Sequence, residues 1–283
     1  MEVGRERILN NERRLKVTIV ARISRTTWLK ATALVVAFAS LTINFGLIDL
    51  VDGFTGYVDQ TRNQVLDVGW GAVFGLILPL GLLTQLRAPE RRIAGIQQTA
   101  FVALALALAG AAGQRGWYVV LAGGIGVVSA VLVALHPSRR RFLARGRRPE
   151  PTMLALAAVV AVPSLVYAWR MASAQRLDLP PADAVSNGLH HWTVMTALAL
   201  LVLLLVLLAA ARTSGWRIPA ISASIAAAAW AISCLVAPPS AAASEGHAWA
   251  WAALVWSGVT LAATVWPRTS DQSVPAETQV QAT

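Results

Sequence analysis

Residues 191–211 read HWTVMTALALLVLLLVLLAAA and end against Arg212, with no Asp, Glu, Lys or Arg among them. A helix needs about 20 predominantly apolar residues to cross the hydrocarbon core of a bilayer. This stretch meets that length, and its apolar residues cover every side of a helix rather than one stripe. An all-round apolar helix belongs inside a large core or a membrane. Seven further stretches repeat the pattern, at about 28–48, 65–86, 93–113, 117–135, 152–171, 217–237 and 248–266. Backbone polar groups cannot go unpaired in lipid, so spanning segments of this length are helices. The expected fold is an all-α integral membrane protein, an eight-transmembrane-helix bundle.

Composition points the same way. The chain is 56% hydrophobic and 13% charged, against about 25% charged in a typical soluble domain. It has too few charges to cover a water-facing surface, which excludes a soluble enzyme fold as the main body. The formal net charge of +10 is assigned to orientation in the bilayer and not to nucleic acid. The single cysteine, Cys234, lies in an apolar stretch and rules out an intrachain disulfide or a Cys-pair metal site. Abundant Ala, Leu and Arg beside only Lys16 and Lys30 are the usage of a high-GC bacterial genome.

The basic residues fall on alternate sides of the eight stretches. Twenty lie in the N-terminal segment, around 87–92, 136–151 and 212–217, and at Arg268, whereas only Arg62, Arg115, Arg170 and Arg176 lie on the opposite side. Positive residues mark cytoplasmic loops, so both termini are expected to be cytoplasmic in a multi-pass cell (inner) membrane protein. The opposite side carries Asp49, Asp52, Asp59, Asp67, Asp178, Asp183 and Glu245. The expected organisation is a basic amphipathic segment at 1–27, the eight-helix domain at 28–266 and a disordered cytoplasmic tail at 267–283.

A weak internal repeat is present. Leu66-Asp67-Val68-Gly69-Trp70 opens the second stretch and Leu189-His190-His191-Trp192 opens the sixth. Four helices per half would place two halves in the same orientation about an axis along the membrane normal.

Ionisable residues at the edges of membrane spans are expensive and mark candidate sites. Asp67, Asp49 and His191 are the candidate proton-transferring residues. Asn44, Asp52, Arg170, His190, Trp70 and Trp192 are the candidate substrate-binding residues around them, with Asp67 and Arg170 a potential ion pair or clamp. His190 and His191 with His247 and Asp67 supply N and O ligands, but no His-x-x-x-His or His-Glu-x-x-His spacing joins them, so no metal is assigned and no cofactor is expected. No Walker A loop is present, which excludes ATP hydrolysis by this chain. Gln97 and Gln98 are read as packing amides. Gly71 and Gly75 form a close-approach pair, as do Ala122 and Gly126. Pro79, Pro163 and Pro219 are read as bends.

Two functions fit these residues. One is a carrier, permease-like protein or accessory factor for a small or lipidic molecule, with a polar extracytoplasmic vestibule. The other is an intramembrane acid–base enzyme, of cyclase or isomerase type, on a lipid or isoprenoid substrate. Expected partners are the bilayer, the small or lipidic molecule, and a second copy or membrane partner.

Overall fold

The computed structural model describes residues 25–42, 45–55, 64–143, 149–177, 190–237 and 243–266. The expected basic segment up to residue 24, the tail from 267, and Asn44 lie outside them. Among the described residues the chain is helical without strands, and eight helices are long and apolar enough to cross a membrane.

We number the helices α1 (25–42), α2 (Gly46–Thr55), α3 (Gln64–Leu86), α4 (Ile93–Ala112), α5 (Gly116–Leu135), α6 (Pro151–Leu177), α7 (His191–Ala210), α8 (Arg217–Val236) and α9 (His247–Val265). α1 and α2 together make the first apolar rod, 25–55, longer than the expected 28–48. Phe45, at φ 54°, marks the join. Asp49 and Asp52 therefore stand on a helix and not in a loop. α6 also runs past the expected end at 171 to Leu177, which puts Arg170 inside a helix.

Four helices are inner and four outer. In the apolar windows of α3, α4, α7 and α8, 61–78% of residues are buried, against 19–28% in the first rod, α5, α6 and α9. Each outer element leans on the inner helix beside it in sequence: α2 on α3, α5 on α4, α6 on α7 and α9 on α8. Large apolar side chains cover the outside, among them Val120, Val127, Val162 and Val255, each about two-thirds exposed. An apolar surface of that extent suits lipid and not water. The inner helices approach closely because α8 presents buried Ala220, Ala223, Ala226 and Ala231. Small residues permit such contact where no hydrophobic drive between helices operates.

The tightest contact joins α2 to α3. A Cβ on Gly75 would sit 2.2 Å from the Gly46 carbonyl oxygen, and one on Gly71 would sit 2.4 Å from the Leu50 nitrogen. Gly126 of the other expected close-approach pair has nothing within 4 Å of its Cβ position, so it forms no such contact within the chain.

α3 is irregular in its middle. It passes from α-helix at Gln64–Trp70 through a π-helical stretch at Gly71–Ile77 to α-helix again at Leu78–Leu83. Pro79 follows directly, and its missing N–H removes one regular bond. Neighbours bond to carbonyls of the π stretch: Ser40 Oγ of α1 donates to the Phe74 carbonyl at 2.5 Å, and Gln98 Nε2 of α4 donates to the Ile77 carbonyl at 2.6 Å. Gln98 also donates to Ser222 Oγ of α8 at 3.0 Å, so it ties three inner helices. Pro163 lies within α6 as expected. Pro219 does not bend α8: it sits in the first turn, after Arg217, where no intrahelical N–H bond is lost.

Loops at one end of the bundle interlock. The Ala94 N–H donates to the Ser214 carbonyl at 3.0 Å, and the Glu150 N–H donates to the Ala210 carbonyl at 2.8 Å. His136 Nε2 meets the Pro89 carbonyl at 3.0 Å, and Arg212 Nε lies 3.6 Å from the buried Glu150 carboxylate. Arg91, Arg92, Arg139, Arg140, Arg141, Arg212 and Arg217 all belong to this end. Glu90 and Glu150 also belong to it, whereas Asp49, Asp52, Asp67 and Glu245 belong to the opposite end.

Candidate functional site

The acidic end gathers side chains from three elements. Asp67 is in the first turn of α3 and His191 is the first residue of α7. These two helix starts meet, and His191 Nδ1 lies 3.4 Å from Asp67 Oδ1. That is ion-pair distance, but the geometry is not that of a hydrogen bond, and both ring nitrogens of His191 are buried without a hydrogen-bond partner among the described residues. The imidazole side chain is 5% exposed and the Asp67 side chain 13%. From α2, the Asp49 carboxyl lies within Coulombic range of His191, Asp67 and Asp52.

An aromatic wall backs the imidazole. The rings of Trp70 and His191 lie 5.1 Å apart, tilted by 33°. Trp70 also meets Phe74 at 4.8 Å and the edge of Tyr118 at 6.4 Å. Trp70, Phe74 and Tyr118 are buried. Pairs in this geometry add about 0.5–1.5 kcal/mol beyond their buried area, so the wall holds His191 in place from one side.

His190 has a different task. It caps α7 with a left-handed backbone, φ 53°, and its carbonyl accepts a bond from the Tyr118 hydroxyl at 3.3 Å. The Gln175 amide completes this joint: in the orientation that satisfies both its ends, its nitrogen donates to the His190 carbonyl at 3.0 Å and to Thr193 Oγ1 at 3.2 Å, and its oxygen accepts from Arg115 Nε at 3.2 Å. Adjacent residues on a helix point about 100° apart, and here one histidine anchors backbone while the other faces carboxylates.

Sequence reasoning thus placed Asp49, Asp52, Asp67, His191 and Trp70 in one region, and the structure brings them together. Trp192 is buried on α7, and its indole N–H has no hydrogen-bond partner among the described residues. Arg170 does not join them. Its guanidinium pairs with Glu245, ahead of α9, so the expected Asp67–Arg170 clamp is not formed. The low polarity of α6 gives no cue to which way Arg170 turns. His247 is exposed, and among the described residues no three His, Cys, Asp or Glu side chains come together as metal ligands. The reading of the sequence missed Tyr118 and Gln175. One cue existed, a tyrosine two residues into an apolar helix in a chain with three.

Chemically, the cluster places an imidazole near the Asp67 and Asp49 carboxyl groups, with Asp52 next to Asp49, beside a π face. Such a site attracts positive charge and exchanges protons. Comparison with protein-family models, curated proteins and solved structures finds no match to this chain.

Proposed function

We propose that the chain is a multi-pass protein of a bacterial cell membrane, with both termini cytoplasmic, that acts as a carrier or accessory factor for a small protonatable molecule. Its binding site faces the extracytoplasmic side and is centred on Asp67, His191 and Asp49. The reading rests on one observation: two inner helices and α2 deliver an imidazole and its carboxylate neighbours to a single place, with His191 buried and its ring nitrogens without a hydrogen bond among the described residues. An unpartnered buried polar group is costly, by roughly 1–3 kcal/mol, and a bound ligand removes that cost. Excess negative charge and the Trp70 face favour a cation, such as an amine.

The orientation is supported by the arginines of the interlocked loops, since basic loops stay cytoplasmic. Two four-helix halves are supported by the order outer, inner, inner, outer, which occurs twice along the chain. Asp67 and His191 then occupy matching helix starts, and the site straddles the axis between the halves.

Uptake by sealed proteoliposomes tests the proposal. A panel of primary and quaternary amines is offered with a proton gradient. Movement that follows the gradient and is lost in Asp67→Asn supports it; amine movement indifferent to both Asp67→Asn and His191→Gln contradicts it. The stacking of Trp70 on His191 keeps one second reading, acid–base catalysis on a lipidic substrate, which predicts product formation in detergent without any sealed compartment.

A further inference from the structure

A cavity of about 520 Å³ lies between α6 and α9, walled at its back by α7 and α8. It shares no residue with the Asp49–Asp67–His191 cluster. Pockets of roughly 300–1,000 Å³ hold small molecules. Its sides are apolar and aromatic, with Trp249 and Trp256 of α9 facing Val159 and Pro163 of α6. The rim is exposed at Val159, Val162 and Val166, so the cavity opens sideways, toward the surface that lipid would cover. α6 and α9 hold mainly to their own inner neighbours, which leaves this gap between them.

Two charged side chains line it, Arg170 and Glu245, and they pair. Arg170 is 59% exposed and Glu245 12%. One carboxylate oxygen of Glu245 receives Arg170; the other, Oε1, is buried with no hydrogen-bond partner among the described residues. Elsewhere on the wall the Tyr167 hydroxyl donates to the Ala243 carbonyl at 2.7 Å and accepts from Trp230 Nε1 at 3.1 Å. A buried acceptor without a donor is expensive. The cavity therefore offers an apolar slot lined by a carboxylate–guanidinium pair whose guanidinium is exposed.

We propose that it holds one chain of a bilayer phospholipid with an ethanolamine headgroup. The acyl chain fills the slot, the ammonium donates to the Glu245 carboxylate, and the phosphate meets the exposed edge of Arg170, the side chain best shaped for phosphate. The choline headgroup lacks the N–H donor and leaves Glu245 unmet. The proposal shares the membrane reading above but not the Asp67–His191 site.

The test uses the full-length chain, stripped of lipid in detergent and titrated with phosphatidylethanolamine or phosphatidylcholine of the same acyl composition, with bound lipid counted by native mass spectrometry. A charge-assisted hydrogen bond corresponds to roughly tenfold in affinity or more, so the ethanolamine lipid is retained about tenfold better. Glu245→Gln narrows that ratio, Ala199→Phe fills the slot and removes both lipids, and Asp67→Asn changes neither. Ala253→Phe, from the facing wall, serves if Ala199→Phe does not fold. Equal retention of the two lipids, or undiminished retention by a folded slot-filling variant, overturns the assignment. A carrier defect in Asp67→Asn with lipid retention intact separates the two sites.

Discussion

The imidazole of His191 and the carboxylate of Asp67 lie 3.4 Å apart, at the beginnings of two inner helices that are 124 residues distant in sequence (191 against 67). Substituting Asp67→Asn or His191→Gln therefore weakens the contact between α3 and α7. Interhelical polar contacts in membranes contribute about 0.6 kcal/mol on average and at most about 1.7. A double-mutant cycle read by denaturation in mixed micelles should return a coupling in that range; additive losses would mean that the two side chains do not interact.

Gln98 carries the second polar tie among the inner helices. Gln98→Leu removes the donors to the Ile77 carbonyl and to Ser222 and should destabilise the bundle by roughly 1 kcal/mol. Ser222→Ala should cost less, because the Ile77 carbonyl keeps its donor. Micelle unfolding midpoints for the two variants provide the check, and the reverse order would place the main tie at Ser222.

Glycine separates into two kinds. Gly75→Ala drives a Cβ against the Gly46 backbone, which cannot rotate away. Overpacking of this sort costs about 1–3 kcal/mol. Gly126→Ala meets nothing within 4 Å and should be neutral or stabilising by up to about 1 kcal/mol, since alanine restricts the unfolded chain. Thermal inactivation curves for the pair would show the contrast.

His136 makes the arginine-rich end sensitive to acid. Desolvation pushes its pKa below the ordinary 6.5, against a smaller opposing effect from the Pro89 carbonyl and Glu90. The neutral ring fits its bonds: Nε2 faces the Pro89 carbonyl at 3.0 Å, and Nδ1 accepts from the Ser138 N–H at 3.0 Å. Below pH 6.5 the unfolded chain takes up a proton before the folded one does, so stability is full above 6.5 and falls as the pH drops toward the lowered folded value. His136→Gln should flatten that part of the stability profile; an unchanged slope below pH 6.5 would assign it to other groups.

The eight rods and the acidic end were legible in the sequence because lipid imposes length, apolarity and charge bias directly. Residues such as Asp49, Asp67 and His191 were found because they sit at helix ends, where depth alone brings them near one another. Rotation about each helix axis was not legible. α6 and α7 are apolar on all sides, so nothing told that Arg170 turns toward Glu245 and not toward Asp67. The π-helical stretch of α3 was hidden for a related reason: Gly71 and Gly75 announce close packing, but not the extra residue that Ser40 and Gln98 accommodate. Pro219 misled although the expected start of its helix, 217, is the observed one: in the first turn a proline interrupts no intrahelical bond and need not bend the helix.

All of this depends on which side of the membrane the Asp67–His191 site faces. In intact cells, with Cys234 replaced by serine, single cysteines at Asp52 and at Leu143 can be probed with a membrane-impermeant maleimide. Leu143 is 87% exposed at the arginine-rich end, and Asp52 is half-buried beside Asp49. Labelling at 52 from outside, with labelling at 143 only after permeabilisation, is the predicted result. The opposite pattern would place the carboxylate–imidazole cluster in the cytoplasm and contradict the proposed function.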